Sequence, residues 1–347
     1  MSGNGPGIGF DRTGWSAEDL QITTSTNIPI AAEANTDPET QQFLTDVLEG
    51  LSARRKSLPC KYFYDSLGSK LFDQICDLDE YYLTRTEKAL LTEKAGEIGE
   101  LLGPGVTLIE FGCGSLTKIR ILLDALETPA AFVPIDIATD HLNASVADLA
   151  TMFPALVISP VSADFTLPLD LTAALAAGTE RRAGFFPGST IGNFDHTGAR
   201  AFMQTLAGTL GPGAMFIVGV DLKKQKSVIE RAYNDAKGVT AAFNMNLLVR
   251  INRELGADFD LDQFRHHSHY DEDLGRVEMH LVSTCVQTVT INGRAISFED
   301  GEAIHTENSY KYSIEEFTSL AEGAGFRPVR VWTDAADLFA IHALAVG

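Results

Sequence analysis

The sequence predicts an α/β fold: a doubly wound, Rossmann-like domain on a parallel sheet, joined to a second, α+β domain. Three observations carry this. From Val106 apolar strand runs alternate with helical segments, the pattern of a parallel sheet covered on both faces. After Asp221 a long helical stretch gives way to alternating β segments. Before Val106 the chain reads as helices without strands. With 347 residues, 45% hydrophobic and 21% charged, the chain can bury two domain cores or one elaborated one.

Taken in order, residues 1–34 are rich in Gly, Thr, Ser and Asn, lack periodic apolar positions, and read as a tail or surface arm. A helix is expected over "TDPETQQFLTDVLEGLSARR", with Thr36 or Asp37 as cap and Pro38 in its first turn. Further helices fit "GSKLFDQICDL" and "TRTEKALLTEKAGEIGELL", where Thr84 and Glu87 have capping-box spacing. The alternating region runs "VTLIEF", "TKIRILLDAL", "AAFVPID", "HLNASVADLATMF", "ALVISPV", "RAGFFPG", "TGARAFMQTLAGTL" and "GAMFIVGVDL". Helical segments then reach "LLVRINREL", and "RVEMHLVSTCVQTVTINGRAISF" alternates around the hairpin signal Asn292-Gly293. A last helix, "SIEEFTSLAEGAG", precedes "RPVRVWT" and "LFAIHALAV", an antiparallel pair that returns to the main sheet. The expected division is a ligand-binding domain of residues 86–223 and 313–347, and a second, substrate-side domain of 35–85 and 224–312.

A formal net charge of −20, from 47 acids against 27 Lys plus Arg, argues against nucleic acid as partner. No apolar run approaches a membrane span and no secretory signal is legible, so a cytoplasmic location is expected. Cys60, Cys76, Cys113 and Cys285 are scattered, which suits free thiols. His266, His267 and His269 in "RHHSHYDED" read as a solvated loop rather than a metal site, and no metal is assigned. No exposed apolar seam is legible, so a monomer is expected.

The stretch "LIEFGCGSLTKIR" holds the first chemical signal. A dinucleotide fingerprint needs a third glycine where Thr117 stands, and a Walker loop needs Gly-Lys-Ser/Thr, which is lacking. What remains is an acid followed by Gly112 and Gly114, which let a ligand approach the backbone. At the next strand's end Asp136 is placed to accept both ribose hydroxyls. After the third strand, Asp164 can accept from an adenine amine, with Phe165 against the base. Three such features at three successive strand ends fit an adenosine without phosphate, which points to S-adenosylmethionine (SAM).

The segments "LPCKYFYDSLGSKLFDQICDLDEYYLTRTE", "EFGCGSLTK", "FFPGSTIGNF", "ERAYND", "GVTAAFNMNLL", "VEMHL" and "IHTENSYKYS" add to this. Together, in order from about Leu48 to the C-terminus, they resemble the histidine-specific Nα-methyltransferases of ergothioneine biosynthesis. The resemblance implies three methyl transfers from SAM to the α-amine of L-histidine, giving hercynine (trimethylhistidine). On the cofactor side it implies Tyr64, Gly112, Gly114, Lys118, Asp136, Asp164 and Phe165, with Lys118 a candidate to neutralise the methionyl carboxylate. For the amino acid it implies Tyr81, Gly188, Asn193, Tyr233, Met279, Glu307 and Ser309.

The chemistry suits those roles. Asn193 can accept from an amine and donate to a carboxylate, and Tyr233 can donate to the same carboxylate. If "AIHTENSYKY" is extended, Glu307 and Ser309 face one side and can hold the two ring nitrogens of an imidazole. Met279 shares a strand face with Val277 and Leu281, so it reads first as core and second as pocket wall. Methyl transfer from a sulfonium is a direct displacement, for which Asn193 and Tyr81 orient the amine lone pair and no general base is named. Departures from the family, in "CGSL" and in Asn308 between Glu307 and Ser309, leave open another aromatic amino acid such as tryptophan. A non-catalytic adenosyl-binding module is the rival reading, and a nicotinamide oxidoreductase is disfavoured by Thr117.

Overall fold

The computed structural model describes residues 38–114, 116–175 and 181–347. The expected tail over 1–34 and the capping role of Thr36 or Asp37 lie outside them. Helix α1 (Pro38–Ser52) buries Phe43, Val47, Leu48 and Leu51, spaced so that they share one helical face. Helix α2 (Ser66–Cys76) is capped by Asp65, whose carboxylate accepts from Gly68 N at 2.7 Å. Helix α3 (Tyr82–Leu102) starts two residues before Thr84, and no side chain caps it. The expected capping box therefore does not form. Glu87 is carried to the inner face of the helix and buried, a placement taken up below.

Strands β1 (Thr107–Phe111), β2 (Ala131–Asp136), β3 (Val157–Ile158), β4 (Val161–Ser162), β5 (Arg182–Phe186) and β6 (Met215–Asp221) run parallel in the main sheet. Helices α4 (Leu116–Ala125), α5 (Thr139–Met152) and α6 (His196–Leu210) connect them. β1 is buried at every position, as a central strand covered on both sides must be. Two apolar layers flank it: α3, α4 and α5 supply Leu91, Ile98, Ile119, Leu122 and Leu142 on one face. Phe202, Met203, Phe317 and Leu320 cover the other.

After β6 come α7 (Lys226–Ala232) and α8 (Val239–Leu255). A three-stranded antiparallel sheet follows, ordered β11 (Ala303–Tyr310), β8 (Arg276–Ser283), β7 (Phe264–Asp271). Between β8 and β11 lies the hairpin β9 (Gln287–Ile291) and β10 (Arg294–Phe298), turned at Asn292 and Gly293, both with positive φ (45° and 77°). α1, α2, α8 and these strands share one core, through residues such as Phe63, Phe243, Leu247 and Leu281. The histidine-rich stretch is strand β7 rather than a loop. Phe264, Ser268 and Tyr270 are buried at period two, while Arg265 and His267 are exposed on the other face, an alternation that polar residues concealed in the sequence.

Helix α9 (Ile314–Gly323) opens with the capping box that α3 lacks, formed by Ser313 and Glu316. β12 (Phe326–Thr333) and β13 (Phe339–Val346) then close the main sheet, β13 lying antiparallel to β6. The order is β12-β13-β6-β5-β1-β2-β3, with β4 beside β2.

Candidate active site

The turn after β1 is pinned by Ile135 O, which accepts from Gly112 N (2.9 Å) and Cys113 N (3.1 Å). Gly112 has φ +79°, a conformation that side-chain-bearing residues rarely adopt, and a Cβ there would stand 3.4 Å from the Phe165 ring. A Cβ on Gly114 would meet open space. Beneath the turn Glu110 is buried, one of its oxygens has no hydrogen-bond partner, and burial pushes its carboxyl up to about 8. Asp136 ends β2 and accepts from Ala138 N at 2.8 Å; burial raises its carboxyl. A glycine cradle open to one side, with a strand-end carboxylate beside it, fits an adenosyl group.

Lys118 Nζ lies 2.5 Å from Glu87. Asp164 is turned into its own loop, accepting from Thr166 N (2.9 Å) and Thr166 Oγ1 (2.5 Å), with Lys61 Nζ 3.8 Å away. Both of these bonds fall on Oδ1, and Oδ2 accepts no hydrogen bond from a described residue. Phe165, by contrast, packs on Phe186 and Phe202 and reaches the turn.

Next to this crevice is a cavity with about 510 Å³ of empty space, open solvent at its mouth included. Eight of the anticipated residues line it: Tyr64, Tyr81, Gly188, Asn193, Tyr233, Met279, Glu307 and Ser309. They come from six separate places in the chain. Glu307 and Ser309 lie on one face of β11, and Met279 is the cross-strand neighbour of Glu307 on β8. A register shift between His305 and Glu307 delivers this pair to the inner face. Tyr233 follows α7, Asn193 ends the helical turn Thr190–Asn193, and Tyr81 meets Tyr233 edge-on at 6.1 Å. The Asn193 amide hydrogen-bonds to no described residue and lines the cavity. Burial lifts the phenols of Tyr64 and Tyr81, so both stay neutral hydroxyls. Tyr64 feels the charges of both Glu307 and Asp136, which puts it between cavity and crevice.

Glu307 is the informative group. Its carboxylate looks into the cavity, is otherwise surrounded by protein, and accepts no hydrogen bond from any described residue. Burial lifts it to about 7, against the opposing pull of Lys311. An acceptor so placed is built to meet a donor on a ligand.

A family model described as "Histidine-specific methyltransferase, SAM-dependent" matches residues 43–346. The chain belongs to this family of SAM-dependent, histidine-specific methyltransferases. It is 41% identical over 310 residues to the Histidine N-alpha-methyltransferase of Mycolicibacterium smegmatis, spanning 88% of this chain and 95% of that protein. The protein of the same name from Mycobacterium tuberculosis is 39% identical over 305 residues, 86% of this chain and 94% of that one. Ergothioneine biosynthesis protein 1 of Schizosaccharomyces pombe is 30% identical over 288 residues, 80% of this chain and 37% of that protein.

Within this methyltransferase, sequence reasoning missed the buried groups behind the cavity. Glu87 accepts from Gly188 N through both oxygens (2.9 Å each) while pairing with Lys118, and so ties a cavity-lining residue to the helix that follows the glycine turn. Gly219 on β6 makes room for it: a Cβ there would lie 2.2 Å from the Glu87 carboxylate. Asp221, at the end of β6, accepts from Lys311 Nζ (2.7 Å), Lys224 Nζ (2.5 Å) and Tyr82 Oη (2.8 Å). Burial alone would raise the Asp221 carboxyl, but Lys311 and Lys224 outweigh it and hold it low. The available signal for Lys311 was parity: Glu307, Ser309 and Lys311 are alternate residues of one extended segment.

Proposed function

We propose that this methyltransferase carries L-histidine to hercynine by successive methylations of its α-amino nitrogen, as a step of ergothioneine biosynthesis. Histidine Nα-methylation follows from family membership together with the two mycobacterial relatives, and the pathway from the S. pombe relative. The observation that carries the choice of substrate is the unpartnered Glu307 carboxylate beside the Ser309 hydroxyl, one acceptor and one adaptable group for the two nitrogens of an imidazole. Tryptophan, with a single ring N–H, would use one of them. The second reading is therefore not preferred.

When bound at the 112–114 turn, SAM supplies a methyl group already activated on a sulfonium. The chain's own residues then position, desolvate and leave room. Asn193 and Tyr81, at the cavity wall, orient the α-amine so that its lone pair faces the crevice. The amine must arrive neutral, which costs about 1.4 kcal/mol for each unit its pKa exceeds the ambient pH, so loss of the proton to solvent before closure suffices. Each transfer deletes an N–H donor and adds bulk. The rings of Tyr64, Phe72 and Phe243, packed edge-on or tilted around one another, offer apolar walls to that growing group.

We assign residues 86–223 and 313–347 to cofactor binding, and 35–85 with 224–312 to amino-acid binding. Four free cysteines suit the reducing cytoplasm, and no helix among the described residues is long and apolar enough to cross a membrane. The test is direct. Purified protein is incubated with SAM and the twenty amino acids, and mass spectrometry looks for a gain of three methyl groups. Histidine alone should gain them; trimethylation of another amino acid with histidine untouched would sink the pocket assignment.

A further inference from the structure

Behind the cavity wall, Lys311 is fully buried and has all three N–H groups committed: to Asp221 Oδ2 (2.7 Å), Tyr233 Oη (2.9 Å) and Ser309 Oγ (2.9 Å). Tyr233 Oη and Ser309 Oγ also lie 2.8 Å from each other. The backbone fixes this arrangement, since Tyr312 N donates to Asp221 O and Lys223 N to Tyr312 O, which staples the end of β11 to the end of β6.

Counting protons gives the consequence. An ammonium cannot accept, so both hydroxyls must accept from Lys311. Of their two protons, one is spent in the Tyr233–Ser309 hydrogen bond. One is left to offer to a ligand, since both hydroxyls belong to residues that line the cavity. Across from it Glu307, when ionised, can only accept. The cavity therefore presents one acceptor and one donor, while the lysine charge itself is paired with Asp221.

We infer that Lys311 is a positioning residue for substrate recognition: by orienting the Ser309 and Tyr233 hydroxyls it makes the site select the neutral imidazole of histidine in a single tautomer, N–H toward Glu307 and bare nitrogen toward the hydroxyl pair. This rests on the cavity being the histidine site. It goes further in assigning the ring's protonation state and the residue that imposes it. Lys311 is not among the residues that line the cavity, so its removal is felt in selectivity more than in turnover at saturation.

The experiment uses the full chain with S-adenosylhomocysteine, which has no methyl to transfer, and ring-¹⁵N histidine at pH 7.5. Bound histidine should show one protonated and one bare ring nitrogen. Two protonated nitrogens, or the averaged signals of the free amino acid, would overturn the inference. In turnover assays with SAM, Lys311→Met should raise KM for histidine at least ~10-fold with a smaller change in kcat. It should lower the preference for histidine over β-(2-thienyl)alanine, whose ring has no nitrogen, by at least ~10-fold. If Lys311→Met does not fold, the Asp221→Asn/Lys311→Met pair removes both charges together and must show the same loss of preference. An unchanged preference in a folded variant that still binds S-adenosylhomocysteine would refute the role of Lys311. Absence of histidine methylation by the unaltered protein would instead refute the functional reading, so the two failures are distinct.

Discussion

The crevice at residues 112–114 and the cavity around Glu307 adjoin at Gly188 and Tyr64, yet they are made of different materials. The crevice is largely backbone: a glycine at φ +79°, amides pinned to Ile135, and a carboxylate at a strand end. Its geometry follows from the parallel sheet, as ligand sites at strand carboxyl ends generally do. The cavity is made of side chains, the Glu307 carboxylate among them, drawn from α2, Tyr81 before α3, the region after β5, the end of α7, α8, β8 and β11. Its geometry depends on two sheets being held together through Lys311 and Asp221. A backbone site recognises a ligand shared by many enzymes, whereas a side-chain site can be respecified one residue at a time.

The largest effect that would sharpen this contrast is expected from Glu307→Ala. Removing the only carboxylate among the described residues of the cavity wall leaves an imidazole N–H unpaired, and kcat/KM for histidine should fall on the order of 1,000-fold, about 4 kcal/mol. Affinity for S-adenosylhomocysteine, read by calorimetry, should stay within about twofold if the two halves are independent. A parallel loss of cofactor affinity would break the contrast.

The converse change is Gly112→Val. A β-branched residue at φ +79° is strained by roughly 1–3 kcal/mol, and its side chain meets Phe165 at the mouth of the crevice. Affinity for S-adenosylhomocysteine should drop about 100-fold, or about 2.7 kcal/mol. The cavity should survive, with histidine preferred over thienylalanine as before in whatever activity remains. A Kd within threefold of the original would mean that the turn does not cradle the cofactor.

The same contrast governs what was legible in the sequence. The strand-helix alternation, the glycine turn and Asp136 are local signals, each contained in a dozen residues, and the alternation is observed as expected, apart from the capping at Glu87 and the strand hidden in "RHHSHYDED". Glu307 and Ser309 come from the family resemblance, and strand parity adds that the two share one face. Lys311 obeys the same parity, but a lysine in a strand is ordinarily solvated, and only the distant Asp221 makes its burial tolerable. Glu87 had the spacing of a cap and became an internal ion pair, because what fixes it, Gly188, Lys118 and the bare backbone of Gly219, lies on other elements. Pairings between distant polar residues have no signature in a single chain.

The smallest expected effect concerns stability. Glu307 has a carboxyl lifted from 4.5 to about 7 by burial, only partly offset by Lys311. Below about pH 4.5 both folded and unfolded chains hold this proton and the group contributes nothing. Between that pH and 7 the unfolded chain releases it while the folded chain keeps it, so the folded state loses ground as pH rises; above 7 the loss is complete. The cost is on the order of 3 kcal/mol at most, and smaller to the extent that water reaches the carboxylate through the cavity mouth. Glu307→Gln carries no such charge. Urea unfolding of the two proteins should therefore give similar stabilities at pH 5 and a more stable variant at pH 8, by about 1–3 kcal/mol. Saturating histidine should narrow the gap at pH 8, because the ligand N–H supplies what the ionised carboxylate lacks and binds the native protein far better than the variant. A gap that is equal at the two pH values, or that histidine leaves unchanged, would mean that Glu307 is solvated rather than held in wait for a donor, and the cavity would lose its claim to be specified by a buried charge.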